Sequence, residues 1–375
     1  MDRNKKTAYI VYENYLTPDG RKMSIGGIQT YITNLIPIIQ SFGYKIHLYQ
    51  RSSLDFDIEV DGIHITGISY GEKVKDFVNC LEKTLNNKIN KESDILVFGC
   101  ETLAFESKQF RSIAIQHGIT WDRPDYSVKT RIKYIRRFLG NAKRSWFIIK
   151  RVSKARQIVC VDYNFVNWYR ALTAYPLVKL NVIPNFTRVL EKFPNKPKSP
   201  INIIFARRLF EYRGTRIFAT AVKPLLESNC NISVTIAGSG PDEKFLRDNL
   251  GNFNNVSFIS YASEESLLIH TDKHIAVVPT LGSEGTSLSL LEAMAAGCAV
   301  ICTNVGGMTN IVLDHYNGIM ISPDEIELYE ALKLLIEDDK LRMSLAQKAY
   351  ESANGAFSIN KWRESWEKVI RKAEE

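Results

Sequence analysis

Short apolar runs alternate with amphipathic stretches along this chain, the pattern of βαβ units built around a parallel sheet. In the first half, runs at 7–12, 44–50, 94–99, 112–116, 157–161 and 180–183 predict strands. Between the first two, Ile28, Tyr31, Ile32, Leu35, Ile38 and Ile39 recur at helical spacing. From Pro184 to Pro200 the periodicity gives way to proline and lysine, which predicts a linker. The alternation then restarts, with strands expected at 201–206, 232–237, 256–259, 274–279, 298–302 and 318–321. Helical patterns lie near 214–227, 241–250, 263–269, 286–296, 306–313 and 325–336. A last helical stretch, Ser358 to Ala373, carries Trp362 and Trp366 and is long enough to leave the second domain and pack on the first.

These elements predict an α/β protein of two doubly wound, Rossmann-like domains facing across a cleft. The expected domains are residues 1–185 plus 357–375, a linker at 186–200, and residues 201–356. Such sheets bind ligands at the carboxyl ends of their strands, so the cleft is the expected site. Composition agrees, since 375 residues with 45% hydrophobic and 24% charged positions exclude a disordered, collagenous or coiled-coil protein.

The formal charge of 49 − 41 = +8 is not spread evenly. From Tyr126 to Val161 there are eleven basic residues and no Asp or Glu, so the rest of the chain sums to 8 − 11 = −3. Met1 to Thr7 lack the apolar core of a signal peptide, and the uncharged stretch Ser24 to Tyr44 is too polar to span a bilayer. A cytoplasmic protein is expected. Six cysteines form no CxxC pair and read as free thiols; Cys298 and Cys302 have no nearby histidine to complete a metal site.

Four features fall where a parallel sheet places function. Gly26-Gly27 precede a helix, where backbone amides approach an anion closely, although paired glycines also make ordinary turns. His117-Gly118 end the strand 112–116, where an imidazole reaches a substrate hydroxyl or is merely a loop histidine. His47, His64, His270, His274 and His315 have no such placement and read as structural or surface residues. Arg207-Arg208 leave the strand 201–206 and Arg213-Gly214 open a helix, so their guanidiniums can grip phosphate or form a solvated turn. The strongest feature is Glu284 and Glu292 with seven residues between them. The amides of Thr286, Ser287 and Leu288 form the positive end of the intervening helix, and Glu292 suits a ribose diol. Gly238 and Gly240 add a close-approach loop after another strand.

Together these residues resemble a retaining glycosyltransferase of family 4, with the two-domain GT-B architecture, over essentially the whole chain and most densely from Ile201 to Pro323. The resemblance implies that Glu292 binds the nucleotide ribose and Glu284 lies beside the donor sugar. It implies that Arg208 and Arg213 hold the donor diphosphate. Arg207 replaces the family's usual glycine and Arg213 its lysine, so Arg207 either crowds or supplements that site. Gly26-Gly27 match the family's glycine loop and His117 its cleft histidine. The segments Gln116–Asp122 and Cys160–Phe165 resemble bacterial members that build surface polysaccharides such as O-antigen or capsule.

The implied donor is a nucleoside-diphosphate sugar, a UDP-sugar before others, and the implied acceptor a glycan or lipid-linked glycan. The catalytic set so implied is Glu284, His117, Arg208 and Arg213. The mechanism so implied needs no metal, so no cofactor and no metal are expected.

The basic segment has its own pattern. Ile132, Ile135, Leu139, Ala142, Trp146, Ile149 and Val152 alternate steps of three and four, an amphipathic stripe with a break expected at Gly140-Asn141. Either this stripe packs on the first domain, or it lies on an anionic membrane with Lys133, Arg136, Arg137, Lys143, Arg144 and Trp146 in contact. Nucleic acid is a third reading, against which no RRM or KH signature is present. A nucleotide-sugar epimerase of similar architecture is the alternative enzyme. Peripheral attachment at the inner face of the cell membrane is the expected location.

Overall fold

The computed structural model describes residues 6–24, 26–71, 73–124, 128–173, 179–228 and 231–375. Ile25 of the glycine loop, Tyr126 of the basic segment and Cys230 lie outside the described residues. The chain forms two compact units, one of Met1–His117, Thr130–Ile183 and Arg363–Glu375, the other of Gly118–Lys129 and Pro184–Trp362. The expected linker at 186–200 thus belongs to the second unit, as does the loop that follows His117.

Among the described residues the first unit carries eight strands: β1 (Thr7–Tyr12), β2 (Lys45–Ser52), β3 (Phe56–Val60), β4 (Ile63–Ser69), β5 (Ile95–Phe98), β6 (Arg111–Gln116), β7 (Gln157–Cys160) and β8 (Leu180–Val182). They lie in the order β3-β4-β2-β1-β5-β6-β7-β8. All neighbours are parallel except β3, which pairs antiparallel with β4. Strands β5 and β6 are buried almost throughout, as their continuous apolar sequences require of a sheet covered on both faces. Helices α1 (Gly27–Ser41), α2 (Val74–Lys88), α3 (Arg131–Val152) and α4 (Tyr163–Thr173) complete the alternation. Helix α3 runs unbroken through Gly140-Asn141, contrary to the expected interruption.

The second unit has a wholly parallel sheet of β9 (Ile201–Ala206), β10 (Ile232–Ala237), β11 (Val256–Ile259), β12 (Ile275–Val278), β13 (Ala299–Thr303) and β14 (Ile319–Ile321), in the order β11-β10-β9-β12-β13-β14. Its helices are α5 (Thr215–Glu227), α6 (Glu243–Leu250), α7 (Leu288–Ala295), α8 (Glu325–Glu337) and α9 (Asp339–Ala356). One core layer gathers Phe205, Phe218, Val222 and Leu332, and the opposite layer Leu290, Leu291, Met294 and Met308. The expected helices at 263–269 and 306–313 are instead short 3-10 turns, at Ser263–Glu265, Leu268–His270 and Gly306–Asn310. Helix α10 (Ile359–Glu374) begins in the second unit and ends in the first, where Trp366 donates from Nε1 to Tyr31 Oη at 2.9 Å.

Strand order reverses between β9 and β12 in the second sheet and between β1 and β5 in the first. Loops leaving adjacent strands on either side of such a switch diverge to opposite faces and leave a crevice at the carboxyl ends. The chemistry-bearing residues gather at these two places.

Candidate active site

In the second unit, Arg207 leaves β9 and Thr280 leaves β12, one on each side of the switch. Arg207 donates from Nη1 to Thr280 Oγ1 at 2.6 Å and from Nη2 to Glu284 Oε2 at 2.7 Å. Arg213 Nη1 donates to the same Glu284 oxygen, and Thr280 Oγ1 donates to it at 3.1 Å. The three charged side chains are 6%, 14% and 11% exposed for Arg207, Arg213 and Glu284, so the pairs are shielded from solvent. Burial pushes the Glu284 carboxyl up, but Arg213 and Arg207 outweigh it and hold it below the usual range. Burial first, joined by the Arg213 charge and opposed by Glu284, pushes Arg207 down to about 10, which leaves it charged at neutral pH.

The backbone is shaped to deliver Glu284. Ser283 adopts a left-handed conformation at φ 62, sparsely populated for a residue with a side chain, and its N–H donates to Asp122 Oδ1 at 2.9 Å. Burial raises the pKa of that carboxyl. Arg123, beside it, stacks its guanidinium 3.8 Å from the Tyr212 ring centroid. Gly307 N–H donates to the Glu284 carbonyl at 3.1 Å, while at Gly306, φ +55, a Cβ would stand 2.0 Å from that oxygen. Gly238 has the same kind of role, since at φ +130 its Cβ would meet the Arg207 carbonyl at 2.2 Å. Gly240 lies two residues on, against Leu209.

Past Glu284 the chain enters α7. Thr286 is buried and fixed by Asn185, whose backbone N–H donates to Thr286 Oγ1 at 2.7 Å. Ser287 is the helix cap and Leu288 its first residue. First-turn amides have no acceptor within their own helix, and the helix dipole adds positive potential there. Glu292, one turn further, accepts from Ser266 Oγ at 2.7 Å, and burial pushes its carboxyl up to about 7. Tyr261 nearby is pushed up to about 12, by burial first and by the Glu292 charge second.

Arg208 is not part of this cluster. It is exposed, forms no salt bridge with any described residue, and lies 5.7 Å from the Phe210 ring centroid. The structure therefore joins Arg207, not Arg208, to Arg213 and Glu284. Thr280 and Ser266 escaped the sequence reading because hydroxyls after strands and in loops carry no distinctive spacing.

In the first unit, Gly26 is extended and caps α1, its carbonyl accepting from Thr30 N–H at 3.0 Å, and Gly27 begins the helix. His117 follows β6 and its Nε2 lies 2.9 Å from the Gly99 carbonyl. That oxygen only accepts, so Nε2 carries the proton and Nδ1 is left as an acceptor. Burial pushes His117 down to about 4, and Tyr31 meets its ring edge-on at 5.0 Å. Glu101 is a further buried carboxyl in this place, raised by burial and receiving the His117 backbone N–H. Its position two residues past Gly99, at the end of β5, was the signal for it in the sequence.

Each sheet gathers polar side chains at its switch point, the place where doubly wound α/β folds bind their ligands. Residues 187–352 match the sequence profile described as Glycosyl transferases group 1. An uncharacterized glycosyltransferase of Methanocaldococcus jannaschii is 26% identical over 74% of this chain and 72% of its own. The N,N'-diacetylbacillosaminyl-diphospho-undecaprenol alpha-1,3-N-acetylgalactosaminyltransferase of Campylobacter jejuni is 29% identical over 42% of this chain and 41% of its own. Sucrose-phosphate synthase from Thermosynechococcus elongatus has the same fold, with a TM-score of 0.77, 15% identity, and coverage of 98% of this chain and 99% of its own. The chain thus has the two-domain GT-B fold, and its residues 187–352 are similar to the group 1 glycosyltransferases.

Proposed function

We propose that this chain is a retaining hexosyltransferase of family 4 that moves a sugar from a nucleoside-diphosphate sugar to a lipid-linked glycan in surface-polysaccharide assembly. The observation that carries the reading is the Glu284 carboxylate held by Arg207 and Arg213 immediately before the amides that open α7. A carboxylate, two guanidiniums and a helix N-terminus at one switch point match a donor with a diphosphate and a polyhydroxyl sugar.

In this reading Arg213 and Arg208 bind the diphosphate, together with the amides of Thr286, Ser287 and Leu288, and Glu292 accepts hydrogen bonds from the ribose diol. These donors stabilise the charge that builds on the leaving diphosphate as the anomeric C–O bond breaks. The acceptor hydroxyl attacks the anomeric carbon from the leaving-group face, and its proton passes to the departing diphosphate. Glu284 orients the donor sugar, and His117, neutral with Nδ1 open as an acceptor, receives a sugar or acceptor hydroxyl. No metal enters this scheme, and a UDP-sugar is the first donor to try.

The acceptor is assigned to a membrane surface because of α3. Ile132, Phe138, Leu139 and Trp146 are 67%, 63%, 60% and 53% exposed, and only Ser145, Ile148, Ile149 and Val152 of the helix are buried. Packing on the first domain therefore accounts for the last turns alone. Such apolar side chains among cations suit an anionic bilayer, and nucleic acid offers them no apolar phase. No helix among the described residues is long and apolar enough to cross a membrane. The Campylobacter relative, by its name, uses an undecaprenyl-diphosphate-linked substrate, which supports the same acceptor class. The test is transfer from UDP-, GDP- and dTDP-sugars to polyprenyl-diphosphate-linked glycans, with the anomeric configuration of the product read by NMR. A product of inverted configuration, or sugar interconversion without acceptor, contradicts the reading.

A further inference from the structure

The edge of the first sheet holds a cluster that the transfer reaction does not use. Parallel pairing of β2 with β4 sets His47 beside His64, and antiparallel pairing of β4 with β3 sets Thr66 opposite Asp57. Because side chains alternate along a strand, His47, His64, Thr66 and Asp57 share one face. His64 Nε2 lies 2.5 Å from Asp57 Oδ1, Thr66 Oγ1 donates to that oxygen at 2.9 Å, and His47 Nε2 lies 2.7 Å from Thr66 Oγ1. One ring nitrogen from each histidine and one Asp57 oxygen fall within 4.8 Å of one another.

We propose that His47, His64 and Asp57 bind one divalent cation of the zinc class and so clip the edge strand β3 to β4 and β2. Two imidazoles and a carboxylate are the donor set of zinc and its transition-metal neighbours, whereas calcium and magnesium demand oxygen throughout. The three donors come from three adjacent strands, so the sheet's own register fixes their approach. Thr66, bonded to Asp57 and His47, orients both from behind, the part an outer partner plays around a metal. The side chains of His64 and Asp57 are 43% and 64% exposed, which leaves a path for the ion and a position for water as a further ligand.

The neighbours set the balance of charge. Lys88 donates to Tyr49 Oη at 2.9 Å beside the cluster and opposes a cation, while Asp57 and Glu59, the latter paired with His64 in register, favour one. The clip has a structural purpose: β3 is the end strand of its sheet, paired on one side only, and such edges fray or recruit other chains.

The test uses the full chain, stripped with chelator and titrated with Zn2+ by calorimetry and with Co2+ by visible absorption. The wild type binds about one ion per chain, with the intense d–d absorption of low-coordinate cobalt, and Zn2+ raises its melting temperature. His64→Ala and Asp57→Asn each weaken binding by at least about tenfold and remove the zinc-dependent rise in melting temperature. Both positions are on the exposed edge, and circular dichroism checks that each variant folds. His315→Ala, at the separate exposed pair with Asp314, binds as the wild type does. Wild-type affinity no greater than that of His64→Ala and Asp57→Asn overturns the proposal and leaves a surface ion pair.

Discussion

Arg207 reaches across the switch point of the second sheet to place Nη2 2.7 Å from Glu284 Oε2. Family resemblance puts a glycine at position 207, so the sequence left open whether Arg207 crowds the site or supplements it. The contact makes Arg207 a positioning residue for Glu284, with Thr280 bonded to both. Replacing it by methionine keeps bulk but leaves a buried carboxylate with one guanidinium fewer. Arg207→Met should destabilise the fold by about 3 kcal/mol, measured by denaturant unfolding. Adding Glu284→Gln should recover part of that loss, and a double mutant no more stable than the single one contradicts the clamp.

Glu292 gives a pH signature. Its carboxyl is raised from 4.5 to about 7, so between those values the folded chain holds a proton that the unfolded chain has released. The stability it contributes is full below about 4.5 and is lost as pH rises through about 7. Donor binding has the opposite slope, because the ribose diol donates to the ionised carboxylate. Nucleotide affinity should therefore strengthen from about pH 6 to about pH 8, and Glu292→Gln should flatten that rise. Calorimetric titration of the nucleoside diphosphate at several pH values measures it.

His117 should not titrate in the working range. Held at about 4 by burial, it stays neutral from pH 5 upward, so no limb of the rate profile above that belongs to it. His117→Ala should lower kcat by at least about tenfold without moving the profile's inflections. An inflection near neutrality that disappears in this variant contradicts the assignment.

Helix α3 should bind anionic vesicles and not neutral ones, with salt weakening the attachment. Each Lys or Arg at the surface adds about 1 kcal/mol. Reversing Lys133, Arg136 and Arg137 to Glu should abolish sedimentation with vesicles while leaving transfer to a water-soluble acceptor intact. Equal binding to neutral vesicles, or none to anionic ones, contradicts the membrane assignment.

The parallel strands were legible because β1, β5, β9 and β12 are buried along most of their length and read as unbroken apolar runs. The hairpin of β3 and β4 went unread because it is half-exposed and its charged residues interrupt any such run. Its signal was Asp61-Gly62 between two alternating segments, and both residues adopt the positive φ that a tight hairpin turn needs. Missing that turn also hid the proximity of His47 and His64, which are far from regular spacing in sequence but paired in register. The spaced glutamates and Arg213 were legible as chemistry. Which arginine faces Glu284 was not, because adjacent residues leaving a strand point to opposite sides and sequence does not say which.

A nucleoside diphosphate is expected to bind at the switch point of the second sheet. Thermal unfolding of the full chain with UDP, GDP and dTDP, beside the Arg213→Ala and Glu292→Ala variants, tests it most directly. One nucleotide at about 100 times its dissociation constant should stabilise the wild type by about 2.7 kcal/mol and both variants by much less. Stabilisation by none of the three, or equal stabilisation of wild type and variants, contradicts the account.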